Sequence, residues 1–202
     1  MKTILSIDFD IIMAPCINIY NDKVPREDWD KLLNNPLFQM LKIDARHYER
    51  LTKMLLQAIK HIDKENIYLI EDHGRILKYL PKDEEIRLIN IDHHHDIGYG
   101  GNPYEDIGCG NWVYYIKNLK EYIWIHNSDS IFPKFRPNIE IKDFLLRDVE
   151  LENIAEQADM IFISLSEPWV PPYYRPLYDA WKNILEEYFN YDFIIDYSKA
   201  DK

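Results

Sequence analysis

Residues 87–96, Arg87-Leu88-Ile89-Asn90-Ile91-Asp92-His93-His94-His95-Asp96, join an apolar run directly to two carboxylates and three imidazoles. The first half reads as a buried strand. Ionisable groups crowded at the end of such a strand are costly to bury unless they are paired or bound to a metal. Three further segments repeat the arrangement: Lys2 to Ser6 runs into Ile7-Asp8-Phe9-Asp10, Ile67-Tyr68-Leu69-Ile70 into Glu71-Asp72-His73, and Met160-Ile161-Phe162-Ile163 into Ser164-Leu165-Ser166-Glu167-Pro168. In open α/β sheets ligands bind outside the carboxyl ends of the strands, so four such ends on neighbouring parallel strands converge on one acidic, histidine-rich pocket.

Outward from this core, strand and helix patterns alternate. The alternation predicts an α/β fold, a single domain over 1–202 with three α/β/α layers around a mostly parallel sheet. Tyr48, Leu51, Leu55, Ala58, Ile59 and Ile62 recur at helical spacing and predict a helix over 45–62 that covers one sheet face. After His73, Gly74 frees the chain direction and opens a short helix that ends before Pro81. A helix is expected over 112–119, then a strand at Tyr122-Ile123-Trp124-Ile125 ending in His126-Asn127-Ser128-Asp129. Residues 131–142 read as a connection, 143–158 as acidic helical material, 177–189 as the last helix, and the chain from Asp196 onward as frayed. The stretch 15–44, with Pro15, Pro25 and Asn34-Asn35-Pro36, reads as an insertion. It either walls the pocket or packs as a surface helix around 26–33.

Lysine and arginine number 24 against 35 acidic residues, a formal charge of −11. With no Lys/Arg run to track a phosphate backbone, nucleic acid is excluded as a partner, and an acidic field suits divalent cations and a cationic substrate. The two cysteines, Cys16 and Cys109, lack zinc-type spacing and are too few for a disulfide framework, which points to a reducing compartment. The opening residues resemble neither a signal peptide nor a membrane span, so a cytoplasmic protein without a membrane partner is expected.

Alternation along an extended segment sends Asp92, His94 and Asp96 to one side and His93 and His95 to the other. A carboxylate, imidazole and carboxylate form a mixed ligand set suited to Mn²⁺, Fe²⁺, Co²⁺ or Zn²⁺ rather than Ca²⁺ or Mg²⁺. The bland alternative is a polar loop whose histidines cap backbone groups. Against it, five of the seven histidines (73, 93, 94, 95 and 126) fall at expected strand ends. Asp8 and Asp10 also lie one strand period apart. Asp-x-Asp alone is a weak signal, but with Asp92 these carboxylates can bridge two cations. Taken singly, His73 reads as a solvated cap and Glu167, before a proline, as a turn residue.

Together these residues resemble the ureohydrolase superfamily, the arginase and histone-deacetylase fold. Ile70-Glu71-Asp72-His73 looks like its Gly-Gly-Asp-His-like turn, Asp92-His93-His94-His95-Asp96 like its Asp-Ala-His-x-Asp strand end, and Ser6-Ile7-Asp8-Phe9-Asp10 like its Ser-x-Asp-x-Asp strand end. Ser166-Glu167-Pro168 resembles the glutamate-proline element that binds the substrate guanidinium. The motif order departs from the family, because here the Asp-x-Asp strand opens the chain instead of following the histidine-rich one. A parallel sheet tolerates such a permutation, since the ligands meet in space and not in sequence.

The short, permuted chain looks most like the peptide arginases of ribosomal-peptide pathways, which convert arginine side chains to ornithine and urea. That resemblance implies two Mn²⁺ ions, one held by His73, Asp92, Asp96 and Asp8 and the other by His94, Asp92, Asp8 and Asp10, with Asp8 and Asp92 bridging. It implies an arginine-containing peptide as substrate, Glu167 as guanidinium anchor, and Asp96 as the group that passes a proton to the departing amine. Trp169 and Tyr173 could then pack the aliphatic stem of the arginine. The region 97–102 lacks the pattern with which free-arginine enzymes grip the α-carboxylate and α-amine. The following loop holds no histidine for a proton shuttle, which leaves His126 as the candidate. Three rival readings stand: a single-zinc deacetylase or amidohydrolase of the same fold, a binuclear phosphoesterase, and a non-catalytic metal- or peptide-binding module.

Overall fold

Strands covered on both faces are near-continuous apolar runs, because helices or loops lie on either side of them. The runs singled out above behave in this way. In the computed structural model, which describes residues 1–14, 42–98, 107–133, 139–167, 169–190 and 193–196, they form β1 (Lys2–Asp8), β4 (Ile67–Ile70), β5 (Ile86–Ile91), β6 (Leu119–His126) and β8 (Met160–Ser164). With β7 (Ile141–Leu145) and β9 (Ile194–Asp196) they build a seven-stranded sheet of order β7-β6-β5-β1-β8-β4-β9, parallel throughout. A separate antiparallel pair joins β2 (Met13–Ala14) to β3 (Lys42–Ile43). The insertion expected at 15–44 lies outside the described residues apart from 42–44.

Register brings the strand ends level. Ile7 pairs with Ile91, Asp8 with Ser164, and Ile70 also with Ser164. The ends of β5, β1, β8 and β4 therefore form one rim, and the expected α/β/α arrangement with its parallel sheet is what the chain adopts. On one face Leu5, Ile7, Ile89, Ile91, Ile161 and Ile163 pack against α1 (Ala45–Ala58), α2 (Leu151–Ala155) and α3 (Arg175–Phe189). The opposite face, with Ile4, Leu88, Tyr122, Trp124 and Phe162, is covered by 3₁₀ segments at His73–Lys78 and Trp112–Tyr115 that contribute Ile76, Trp112 and Val113.

Local signals set the boundaries. Asp44 caps α1 by accepting from the backbone N–H of Arg46 and His47 at 2.9 and 3.0 Å. That helix stops at Ala58, short of 62, and the segment after Asn111 is a single 3₁₀ turn rather than a helix to 119, because β6 begins at Leu119. Besides the two-residue β2 and β3, two strands of the main sheet carry no strand pattern in the sequence. β7 lies in the stretch taken as a connection and an acidic helix. As an edge strand it exposes Lys142, Asp143 and Phe144, which hides the strand pattern. β9 ends at Asp196, the residue taken as the start of a frayed tail. Its carboxylate instead accepts from Tyr79 Oη at 2.6 Å and lies 3.2 and 3.4 Å from Lys78 and Arg75.

Phe9 connects the core to the rim. It sits between Asp8 and Asp10, fully buried, with Trp181, Tyr178 and Tyr48 edge-on to its ring at centroid distances of 5.1, 5.4 and 6.4 Å. Replacing it by alanine should cost about 3–5 kcal/mol of stability. Urea unfolding checks this as a lowered midpoint with an unchanged slope.

Candidate metal centre

The rim delivers six ionisable side chains to one buried point. Asp8 ends β1, and Asp10 belongs to the 3₁₀ turn Phe9–Ile12 that follows it. His73 opens the 3₁₀ segment after β4, while Asp92, His94 and Asp96 follow β5. None is more than 6% exposed. Two overlapping triads can hold a metal ion, Asp8 with His73 and Asp92, and Asp10 with Asp92 and His94, each with its ligand atoms within 4.8 Å of one another. Asp92 belongs to both, as the bridging expectation requires of it, whereas Asp8 falls in the first triad alone. Asp96 completes the group around His73. The imidazole Nδ1 lies 3.1, 3.3 and 3.0 Å from carboxylate oxygens of Asp8, Asp92 and Asp96. His94 Nδ1 lies 3.0 Å from Asp10 Oδ2 and 3.7 Å from Asp92 Oδ1.

These atoms fit a cation better than they fit one another. Among the described residues, His73 Nδ1 and both Asp10 carboxylate oxygens are buried without a hydrogen bond. An imidazole nitrogen equidistant from three carboxylates, aligned for a hydrogen bond with none, is what lone pairs aimed at a common central point produce. No lysine or arginine forms an ion pair with any of the four aspartates among the described residues, so the negative charge is not balanced from within the chain. The mixed oxygen and nitrogen donors suit a divalent transition metal.

Neighbouring groups fix the orientation of His73, Asp8, Asp92 and Asp96, and no sequence pattern singled them out for this role. Ser6 Oγ lies 2.6 Å from His73 Nε2, placed to accept the N–H there and so to reserve Nδ1 for a metal once its own proton is displaced. Asn90 Nδ2 and the His94 backbone N–H donate to Asp92 at 3.1 and 2.7 Å. The Trp112 indole N–H donates to Asp96 Oδ2 at 2.6 Å, and the Ser166 hydroxyl donates to Asp8 Oδ2. Ser6 and Asn90 were legible in principle. Each lies one strand period before an aspartate on the same face, and the two are register partners. Ser166 and Asp96 adopt left-handed backbone, φ 48° and 50°, a strain that no sequence pattern announces and that is concentrated where residues are held for function.

The remaining candidates divide. A small cavity lined by Asp8, His94, Asp96, Cys109, Ser166 and Trp169 opens onto the cluster, and the Trp169 ring stands 5.2 Å from that of His94. Tyr173 instead is 45% exposed and packs on Tyr174. The Glu167 carboxylate faces Arg175, with Nη1 at 3.5 Å, and Glu71 shares the same guanidinium nitrogen at 3.7 Å. His126 lines a different cavity, beyond β6, with its ring stacked on Trp124 at 4.2 Å. His93 and His95 join neither triad: His93 Nδ1 lies 3.4 Å from Ser130 Oγ, and His95 Nδ1 accepts from the Ile97 N–H at 3.2 Å. Gly74 does not use left-handed backbone. A Cβ there would stand 3.1 Å from the Gly108 carbonyl carbon, so close approach of the 107–110 loop is what the position requires.

No known family model matches this chain, and no curated protein or solved structure matches it either. The chemistry of the centre therefore rests on its own electrostatics. Burial pushes the His73 imidazole down, but the Asp8, Asp92 and Asp96 carboxylates outweigh burial and hold it well above the ordinary histidine range. His94 is raised in the same way by Asp10 and Asp92. Burial and the charge of Asp92 push Asp96 well up, and burial with Asp8 lifts Asp10 to about 6. Burial also acts upward on Asp92, yet His73 and His94 together hold it well below the usual carboxylate range. Without metal, then, the cluster keeps its charge down by holding protons on its ligands.

A cation must displace those protons, so binding releases them and weakens as pH falls. Because His73 and His94 retain protons well above 6.5, affinity for Mn²⁺ or Zn²⁺ should still be rising above neutrality, and protonation of Asp10 should weaken it further below about pH 6. Calorimetric titrations in buffers of different ionisation enthalpy would count the released protons. Ser6→Ala, which removes the partner of His73 Nε2, should lower metal affinity by about 10–100-fold. Equilibrium dialysis of a variant with wild-type unfolding behaviour checks it.

Proposed function

We propose that this chain is a Mn²⁺-dependent hydrolase with a binuclear centre that converts arginine side chains of a peptide to ornithine, with release of urea. The observation that carries the reading is the position of Asp92, shared by two Asp/His triads at the carboxyl edge of a parallel sheet. A single-ion deacetylase site would leave Asp10 without a role, though it is fully buried with neither oxygen hydrogen-bonded among the described residues.

A pair of Mn²⁺ ions, once bound, would supply Lewis acidity and lower the pKa of a coordinated water. His73, Asp8, Asp92 and Asp96 would hold one ion, and His94, Asp10 and Asp92 the other. The protein supplies the rest. A guanidinium is cationic, and the cavity over the cluster presents Asp8 and Asp96 to it while Trp169 gives an apolar wall for the aliphatic stem. Asp96 Oδ2 is taken up by the Trp112 N–H, which leaves Oδ1 to carry a proton to the departing amine. Burial and Asp92 raise this carboxyl, the direction that favours its holding a proton.

Glu167 follows Ser166 and already faces a guanidinium, that of Arg175, at an ion-pair distance. In this reading a substrate guanidinium takes over that carboxylate by a charge-assisted hydrogen bond once Arg175 swings aside. The acidic lining and the −11 charge favour the cationic substrate during approach.

The Mn²⁺-loaded protein incubated with arginine-containing peptides should release urea, and mass spectrometry should find peptides lighter by CH2N2. Asp92→Ala should abolish both metal loading and turnover. Glu167→Gln should keep the metal yet lower kcat/KM on the order of 30- to 1000-fold, equivalent to about 2–4 kcal/mol. Faster turnover of free arginine than of peptide, or full peptide turnover by Glu167→Gln, would refute the peptide-specific form of the reading.

A further inference from the structure

A second cavity, of about 290 Å³, opens on the same rim beyond the ends of β6 and β7. His126, Asn127 and Asp129 line it from the end of β6, Asp44 and His47 from the start of α1, and Arg147 from the turn after β7. It adjoins the metal centre through two short links. The His93 ring stands 5.1 Å from that of His94, and its Nδ1 is 3.8 Å from Asp129 Oδ1. Asn127 Nδ2 donates at 2.8 Å to the carbonyl of Ile11, the residue after Asp10.

The polar atoms here are in excess, and they are acceptors. His126 is 4% exposed and Asn127 9%. His126 Nδ1 donates to the Asn127 carbonyl at 2.7 Å, since a carbonyl only accepts, and in the neutral ring this makes Nε2 the acceptor. That nitrogen has no hydrogen bond among the described residues, and its nearest ionic neighbour, Asp143 Oδ2, lies 3.6 Å away. Asn127 Oδ1 is likewise buried without a donor among the described residues. Buried acceptors left in this state are costly. The carboxylates of Asp44 and Asp129 add negative charge, while Arg147, the one lysine or arginine lining the cavity among the described residues, is 66% exposed and turned to Asp148 at 3.7 Å. Two buried acceptors in an acidic, roomy cavity ask for a positively charged N–H donor.

We propose that this cavity is a second binding site, for the cationic end of a lysine or arginine side chain that neighbours the modified arginine in the same peptide. This rests on the peptide-hydrolase reading for its ligand and on the two orphaned acceptors for its existence. The site would select among arginines by what lies beside them, whereas the metal centre recognises the guanidinium alone. His126 then acts as an acceptor for substrate and not as a proton shuttle.

The test is NMR on the full chain, ¹⁵N-labelled and loaded with diamagnetic Zn²⁺. It is titrated with Nα-acetyl-lysine amide and with the norleucine analogue, which has no charged end. The His126 ring and Asn127 side-chain resonances should shift with the lysine compound and not with norleucine, and Asp129→Lys should weaken half-saturation at least tenfold. Equal shifts with norleucine, shifts confined to the Trp169 indole, unchanged affinity in Asp129→Lys, or no shift at any soluble concentration would overturn the proposal. Urea release from arginine peptides, read on the same preparation with Mn²⁺, separates the two readings. Hydrolysis without a lysine-dependent shift rejects the second cavity alone, and a lysine-dependent shift without hydrolysis rejects the hydrolase reading alone.

Discussion

Four aspartates are buried at one point, and among the described residues only His73 and His94, with no lysine or arginine, stand against their charge. Each buried charge costs several kcal/mol of desolvation unless it is compensated. The fold answers in two ways: ligands retain protons, and every carboxylate but Asp10 receives at least one hydrogen bond from a neighbour. Those donors come from four different strands and loops, so the sheet register, the 3₁₀ turns and the left-handed residues all serve one electrostatic constraint. A divalent cation would satisfy it more completely than protons do, because it restores charge balance without neutralising the ligands one by one.

Much of this was legible in the chain itself. Apolar runs ending in ionisable groups located β1, β4, β5 and β8, and the parallel sheet followed from their alternation with helices. All six proposed ligands lie together, but strand periodicity places only Asp8: Asp92, His94 and Asp96 follow the end of β5 outside the extended conformation, and Asp10 sits in a 3₁₀ turn. Periodicity failed where tertiary context decides. Edge strand β7 carries charges at positions that a central strand would fill with valine or isoleucine, and β9 is only three residues long. His126 does end a strand, but its face of β6 turns it onto Trp124 and away from the cluster, a consequence of position in the sheet that no single-sequence signal carries.

Glu167 and Arg175 illustrate a different limit. The sequence marks Glu167 as an acidic residue at a strand end, and nothing in it reveals that a residue eight positions on would occupy the same carboxylate. Arg175 opens α3, whose Tyr178 and Trp181 pack in the core against Phe9, so the guanidinium is delivered to the rim by a rigid element. In the proposed reading, substrate recognition at Glu167 would be coupled to the side-chain conformation of Arg175.

The place of β1 has a consequence for biogenesis. It is the earliest strand of the sheet to leave the ribosome, yet it lies in the middle, between β5 and β8, and can complete neither edge until both have been made. Pairings this distant in sequence form slowly, because chain-closure entropy is lost before contacts repay it. During that interval an apolar strand with two bare edges is an invitation to aggregate. The aspartates at its end would give the waiting strand a hydrated, charged terminus, the kind of feature that discourages edge-to-edge pairing.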